Sequence, residues 1–139
     1  VFSTVRALIV VTSVPLVYLG GNITRLGTYA ADDLYDHWSH PLHAKEQVEM
    51  VRALREWKAA RGGQRELLVV GGDVHVGGHT YIKHEGVKIF DQLITSPITN
   101  VPPKWYEFYG LLILTEAEER LTGSYSYEHH DSPIREITE

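Results

Sequence analysis

The sequence predicts an α/β fold, and three observations predict it. Val5 to Val11 and Leu67 to Val70 are short apolar runs rich in β-branched residues. Between them lies Pro41 to Arg61, a segment of helical periodicity. Strand, helix, strand in that order is a βαβ unit, whose two strands lie parallel in one sheet. Beyond the second run come short alternating segments set apart by turn residues, the pattern of antiparallel hairpins. The expected architecture is a mixed sheet, one long helix and C-terminal β-hairpins.

The first run needs separating from a leader sequence. Leu8 to Leu19 is apolar behind Arg6 and loosely fits a signal-peptide template. However, Ile9, Val10 and Val11 favour a strand, and Thr12, Ser13 and Pro15 interrupt the run. It is also too short to span a membrane as a helix. The reading is a buried strand, a turn at Pro15 and a second short extended piece. Gly20 to Ala31 is a loop by composition.

The helix has the clearest pattern. Val48, Val51, Leu54 and Trp57 recur every three residues, and Ala44, Met50 and Ala53 widen the apolar face. Glu46, Glu49, Arg52, Arg55 and Lys58 form the charged face, and Gly62-Gly63 ends the helix. Just before it stands Asp32-Asp33-Leu34-Tyr35-Asp36-His37-Trp38-Ser39-His40-Pro41-Leu42-His43, with three carboxylates and three imidazoles. Such a cluster suits a metal site, a phosphate-binding rim or an acid–base pair. It equally suits a helix start, with Ser39 or His40 as cap and Pro41 in the first turn.

Leu67 to Val70 reads as a strand buried on both faces. It runs into Gly71-Gly72-Asp73-Val74-His75-Val76-Gly77-Gly78-His79. A strand that ends in a glycine-lined loop sets Asp73 and His75 at the carboxyl edge of a sheet, where α/β folds bind ligands. One hard oxygen and one imidazole nitrogen suit a divalent metal. Asp73 could instead bond backbone amides in a turn. His79 is read as a strand-start residue.

His79 to His84 and Val87 to Leu93 flank Glu85-Gly86, a two-residue hairpin signal. Ile94 to Trp105 is a proline-marked loop whose hydroxyls and Asn100 amide are available to a site. Tyr109 to Thr115 and Arg120 to Tyr127 are expected to form a last hairpin, and His129 to Glu139 a polar, frayed tail.

Composition narrows the function classes. The chain has 139 residues, enough for one domain or part of a larger one. It is 43% hydrophobic and 22% charged, ordinary for a globular domain with a core. A net charge of −5 argues against a nucleic-acid-binding surface, which would be basic. With no cysteine, disulfides, thiolate metal sites and a thiol nucleophile are excluded. A Gly-x-Ser-x-Gly nucleophile elbow is also missing. The compartment stays open, with the cytoplasm slightly favoured and no membrane span expected. The opening residue, Val1, hints at further sequence upstream.

Three segments, in order, resemble the PhoD-like phosphatases of the calcineurin-like metallophosphoesterase superfamily. They are Asp36-His37-Trp38-Ser39 with His43 and Glu46, then Gly72-Asp73-Val74-His75, then the loop from Ile94 to Pro103. Val14-Pro15-Leu16-Val17-Tyr18 is a fourth, weaker match, and the likeness covers about Val5 to Trp105. The resemblance implies metal-dependent hydrolysis of phosphate esters, with two divalent or trivalent metal ions such as Fe, Ca, Mn or Zn. It implies Asp73 and His75 as metal ligands, His37 and His43 as candidate catalytic residues and Asn100 as a substrate-binding residue. The family's earlier motifs do not occur here; Gly21-Asn22, for instance, is followed by Ile23 rather than histidine. Residues 1–139 therefore look like the carboxyl-terminal part of one domain, a partial metallophosphoesterase-like two-sheet sandwich lacking its N-terminal half. Taken alone, such a chain is expected to bind metal weakly and to be inactive. The alternative is a non-catalytic, truncated module of the same kind that binds a partner.

Overall fold

Parallel strands joined by a helix form the centre of the molecule. In the computed structural model, residues 4–18, 35–60, 62–72, 77–95, 119–120 and 125–130 are described. Strand β1 is Ala7–Thr12, helix α1 is Ala44–Ala59 and strand β2 is Glu66–Gly71. β1 and β2 pair in parallel, with Ala7 opposite Glu66 and Thr12 opposite Gly71. Strands β3 (Gly78–His84) and β4 (Val87–Ile94) follow, then β5 (Glu119–Arg120) and β6 (Tyr125–His130). The order across the mixed sheet is β1-β2-β4-β3-β6-β5. β4 lies parallel to β2, while β3 runs antiparallel to β4 and β6. The α/β architecture, the βαβ unit and the β3–β4 hairpin match the sequence reading.

One face of the sheet meets the helix. Leu67, Val69, Ile82 and Phe90 from the strands pack with Val48, Val51 and Leu54 from α1, and Leu16, Val17 and Tyr125 complete the core. Helical periodicity named the right stripe except at two positions. Ala53 is exposed, and Gln47 is buried in its place. The helix also starts at Ala44, not at Pro41. Two successive tight turns precede it, closed by His40 N–H to His37 O (3.0 Å) and His43 N–H to His40 O (2.8 Å). His43 is the N-cap residue and its side chain makes no capping bond, so neither Ser39 nor His40 takes that role. At the far end Arg65 is buried over the Trp57 ring, its guanidinium carbon 4.7 Å from the centroid. Its Nη1 donates to Trp57 O at 2.7 Å, which ties the helix end to the start of β2.

The segment after β1 is not a second strand. Ser13 to Tyr18 runs through bends, and Pro15 to Tyr18 are buried. Its backbone is satisfied by amide side chains instead of a neighbouring strand. Val17 N–H donates to Gln92 Oε1 at 3.2 Å, and Gln92 Nε2 donates back to Val17 O. Gln47 Nε2 donates to Leu16 O at 2.7 Å. Burial therefore comes without a ladder, a combination that apolar patterning does not reveal.

The hairpin turn is built as its sequence demands. Glu85 (φ 52) and Gly86 (φ 79) both take positive φ, the requirement of the mirror-image turn that matches strand twist. The ladder shifts between Ile82/Lys83, so Ile82 opposes Phe90 but Lys83 opposes Lys88. Ile89 thereby joins Phe90 against the core. The expected last hairpin differs from its reading. Arg120 and Tyr127 lie on two paired strands, with Glu119 opposite Tyr127. Tyr109 to Thr115 lies outside the described residues, while His129 and His130 belong to β6 rather than to a tail.

The opposite face carries no helix among the described residues. Leu68 and Val70 are only half-buried there, so β2 is fully buried on one face and not on both. Ile9, Val11 and Leu93 are exposed beside them. Further across, Asp91 Oδ1 lies 2.7 Å from both His79 Nε2 and Lys88 Nζ. Partial burial on its own would raise the Asp91 pKa, but the Lys88 and His79 hydrogen bonds outweigh it and hold the carboxyl below its ordinary 3.8. No helix among the described residues is long and apolar enough to cross a membrane.

Two outcomes follow. Replacing Gln92 with Leu leaves the buried N–H and C=O of Val17 without partners, each worth about 1–3 kcal/mol. A stability loss of roughly 2–4 kcal/mol is expected in urea unfolding. A loss below about 0.5 kcal/mol, the size of a neutral surface change, would contradict it. For Asp91 the folded pKa is the lower one, so its contribution is present above 3.8 and disappears as pH falls through the folded value. Asp91→Asn should be less stable than wild type at neutral pH, and the gap should close in strong acid. A gap that persists at every pH would exclude this linkage.

Candidate functional site

The carboxyl ends of the parallel strands converge. β1, β2 and β4 point the same way, so Thr12, Gly71 and Ile94 end at one edge of the sheet. Hydrogen bonds tie the three ends together. Gly72 N–H donates to Ser13 O at 3.3 Å, and Thr95 N–H donates to Gly71 O at 2.8 Å. The Thr95 hydroxyl reaches the same carbonyl at 3.2 Å. An edge of this kind is where open α/β sheets place their ligands, because loops from several strands meet there.

Gly71 is glycine because nothing larger fits. A Cβ on Gly71 would lie 2.6 Å from Pro15 Cα and 2.8 Å from Pro15 N. The chain after β1 therefore crosses directly over the end of β2. This close approach brings Ser13 beside Gly72 at the end of β2. Across from them lies a cavity of about 430 Å³, lined by Ser13, Val14, Asp36, Trp38 and His43. The two turns between His37 and His43 carry the lining from Asp36 to the start of α1. His40 steadies this passage, since its Nδ1 accepts from Leu42 N–H at 3.3 Å.

Sequence candidates divide accordingly. His43 is exposed and lines the cavity. His37 does not line it; its ring is buried and stacks on Tyr18, with centroids 6.2 Å apart. Burial pushes the Tyr18 phenol far up, so His37 packs against a neutral hydroxyl-bearing ring. His40 is buried too, 5.0 Å from the Tyr35 ring. Asp73, His75 and Asn100 lie outside the described residues. Among the described residues no group of three or more His, Asp or Glu is placed to hold a metal ion.

Of the lining residues only His43 was given a role of its own from the sequence. Asp36 and Trp38 sit inside the histidine-rich stretch, where composition marked the region but not the face. Ser13 carries no sequence signal, because only the crossing over Gly71 puts it at the edge. Chemically, the cavity offers a carboxylate, a hydroxyl and an imidazole. Its wall is partly apolar, with Val14 and Trp38.

The chain matches no protein-family model, no curated protein and no solved structure.

Gly71→Ala offers a direct check on the crossing. The contacted atoms are Pro15 backbone, which cannot swing aside as a side chain would. A stability loss of about 1–3 kcal/mol is expected from such overpacking. Chemical shifts of Ser13 and Val14 should move, while those of the β3–β4 hairpin stay. Unchanged shifts at both residues would show that the strand end and the crossing segment are not in contact.

Proposed function

We infer that this chain contributes part of the active site of a metal-dependent phosphoesterase that cleaves phosphate esters. The supporting observation is the converging strand edge: Gly72, which Asp73 and His75 follow in the sequence, bonds Ser13, and Ser13 lines a cavity together with Asp36 and His43. The donor chemistry fits. A carboxylate and an imidazole are suitable ligands for divalent ions, and Asp73 and His75 are the residues that would hold them. Bound there, such ions supply a water of lowered pKa and counter the charge on phosphoryl oxygens.

The chain's own residues account for the remaining work. His43, at the exposed start of α1, is proposed to give a proton to a leaving oxygen. Trp38 and Val14 supply the apolar part of the cavity lining. Asn100 is proposed as a substrate contact, and His37 as a support for the turn bearing His43 rather than as a group facing the cavity. The resemblance to PhoD-like phosphatases supports the same substrate class. A second reading, a non-catalytic module that binds a partner, draws support from the exposed Ile9, Val11 and Leu93 on the uncovered face.

The test is phosphatase and phosphodiesterase turnover of aryl phosphates by the protein that carries this chain, with and without chelator. Chelation should abolish turnover, and added metal should restore it. Replacing Asp73 with Asn and His75 with Ala should lower it by at least roughly 100-fold, since even outer partners of metal ligands are worth about 10–100-fold. Turnover that survives complete metal removal would overturn the proposal. Partner binding untouched by both substitutions, with no turnover at all, would favour the second reading.

A further inference from the structure

We propose that the cavity at the carboxyl edge binds an organic ammonium group, held by Trp38 and Asp36. Its volume of about 430 Å³ falls within the range of small-molecule sites, about 300–1,000 Å³, which leaves room for the organic part of an ester. The lining decides the charge of the occupant. Among the described residues it comprises Ser13, Val14, Asp36, Trp38 and His43, with one carboxylate and no Lys or Arg. Asp36 makes no ion pair or hydrogen bond with another described residue, so its charge is open to a ligand. An anion placed here would meet that carboxylate without a counter-charge from the described wall. The positive end of α1, next to His43, does not reverse this balance, because Glu46 stands in the first turn.

A purely apolar group would use Val14 and Trp38, but it would take water from Asp36 and return nothing. An ammonium group uses both kinds of wall. Indole is the best aromatic partner for a cation, and the carboxylate supplies the opposite charge. Trp38 is half-buried and packs against the core while it lines the cavity, so the aromatic wall is in place before a ligand arrives. The turn closed by His40 N–H to His37 O contains Trp38, and Asp36 stands one residue before that turn. Both groups therefore share one short, hydrogen-bonded stretch of backbone. That the ammonium belongs to the alcohol part of a phosphate ester rests on the phosphoesterase reading; the ammonium site itself does not.

The probe is choline, with dimethylbutanol as its neutral carbon isostere and inorganic phosphate as the anion. Each is titrated into the protein that carries this chain, and the Trp38 indole N–H signal is followed by NMR. Choline should shift that signal saturably. The isostere should bind more weakly by about 5-fold or more, the scale of one cation–π or exposed ion contact. Asp36→Asn changes an exposed side chain, so the fold should persist while choline affinity falls by a similar factor. Equal binding of choline and its isostere overturns the proposal, as does phosphate binding in place of choline. Choline affinity that Asp36→Asn leaves unchanged also overturns it. Turnover separates this site from the phosphoesterase reading. The nitrophenyl ester of phosphorylcholine should show a lower KM than its neutral dimethylbutyl counterpart, and Asp36→Asn should remove the difference. Choline binding in a protein without turnover upholds the ammonium site and removes the phosphoesterase reading; turnover without choline binding does the reverse.

Discussion

The geometry of the candidate site depends on one side chain. Gln92, fully buried in the middle of β4, pairs with both the N–H and the C=O of Val17. The segment around Val17 is not a strand, yet it lies in the core, where unpaired backbone groups are costly. Gln92 acts as one missing ladder step, and Gln47 supplies another at Leu16. With both in place the chain crosses over Gly71 and delivers Ser13 and Val14 to the carboxyl edge. A purely apolar residue at Gln92 would pack in the same space, but it would leave the crossing segment without a hydrogen-bonded path. Two buried amides thus convert a hydrophobic core into a support for a polar edge.

Much of this fold is legible in the sequence, and the failures share a cause. The β-branched runs, the three-residue helical spacing and Glu85-Gly86 each report a local preference, and each element formed where local preference agreed with burial. Local signals miss what is decided by distant partners. Gln47 reads as a polar surface residue until Leu16 O is found beside it. Ser13 reads as a strand-end hydroxyl until the crossing over Gly71 is seen. The histidine-rich stretch is informative as a region, but turn geometry sends the His37 ring inward and leaves His43 at the cavity. A one-dimensional pattern has no access to that choice. The helix start moved for a related reason: Pro41 suits a first turn, but two tight turns intervene before the helical ladder begins at Ala44.

The two faces of the sheet are treated differently. One is closed by α1 and the Pro15–Tyr18 segment, with Val17, Val51, Val69, Ile82 and Phe90 fully buried. The other divides into an apolar half on β1 and β2 and a polar half on β3 and β4. In the polar half Asp91 joins His79 and Lys88, while Lys83 and Lys88 approach the Tyr81 ring at 5.4 and 5.5 Å. The ladder shift beside Ile82 adds to the polar part, because it presents Ile89 to the core and turns Lys88 outward.

The strand order has a consequence for how the chain emerges during synthesis. β3 and β4 are joined by two residues and can pair within microseconds of being made. β1 is made first, yet its only described neighbour is β2, and Thr12 bonds Val70 across 58 positions. At translation rates of about 5–20 residues per second, that separation corresponds to roughly 3–12 s. Over that interval an uncharged, β-branched hexapeptide is without β2, its partner among the described strands. Of the described strand pairings, that of β1 with β2 therefore waits longest for its second strand to be made.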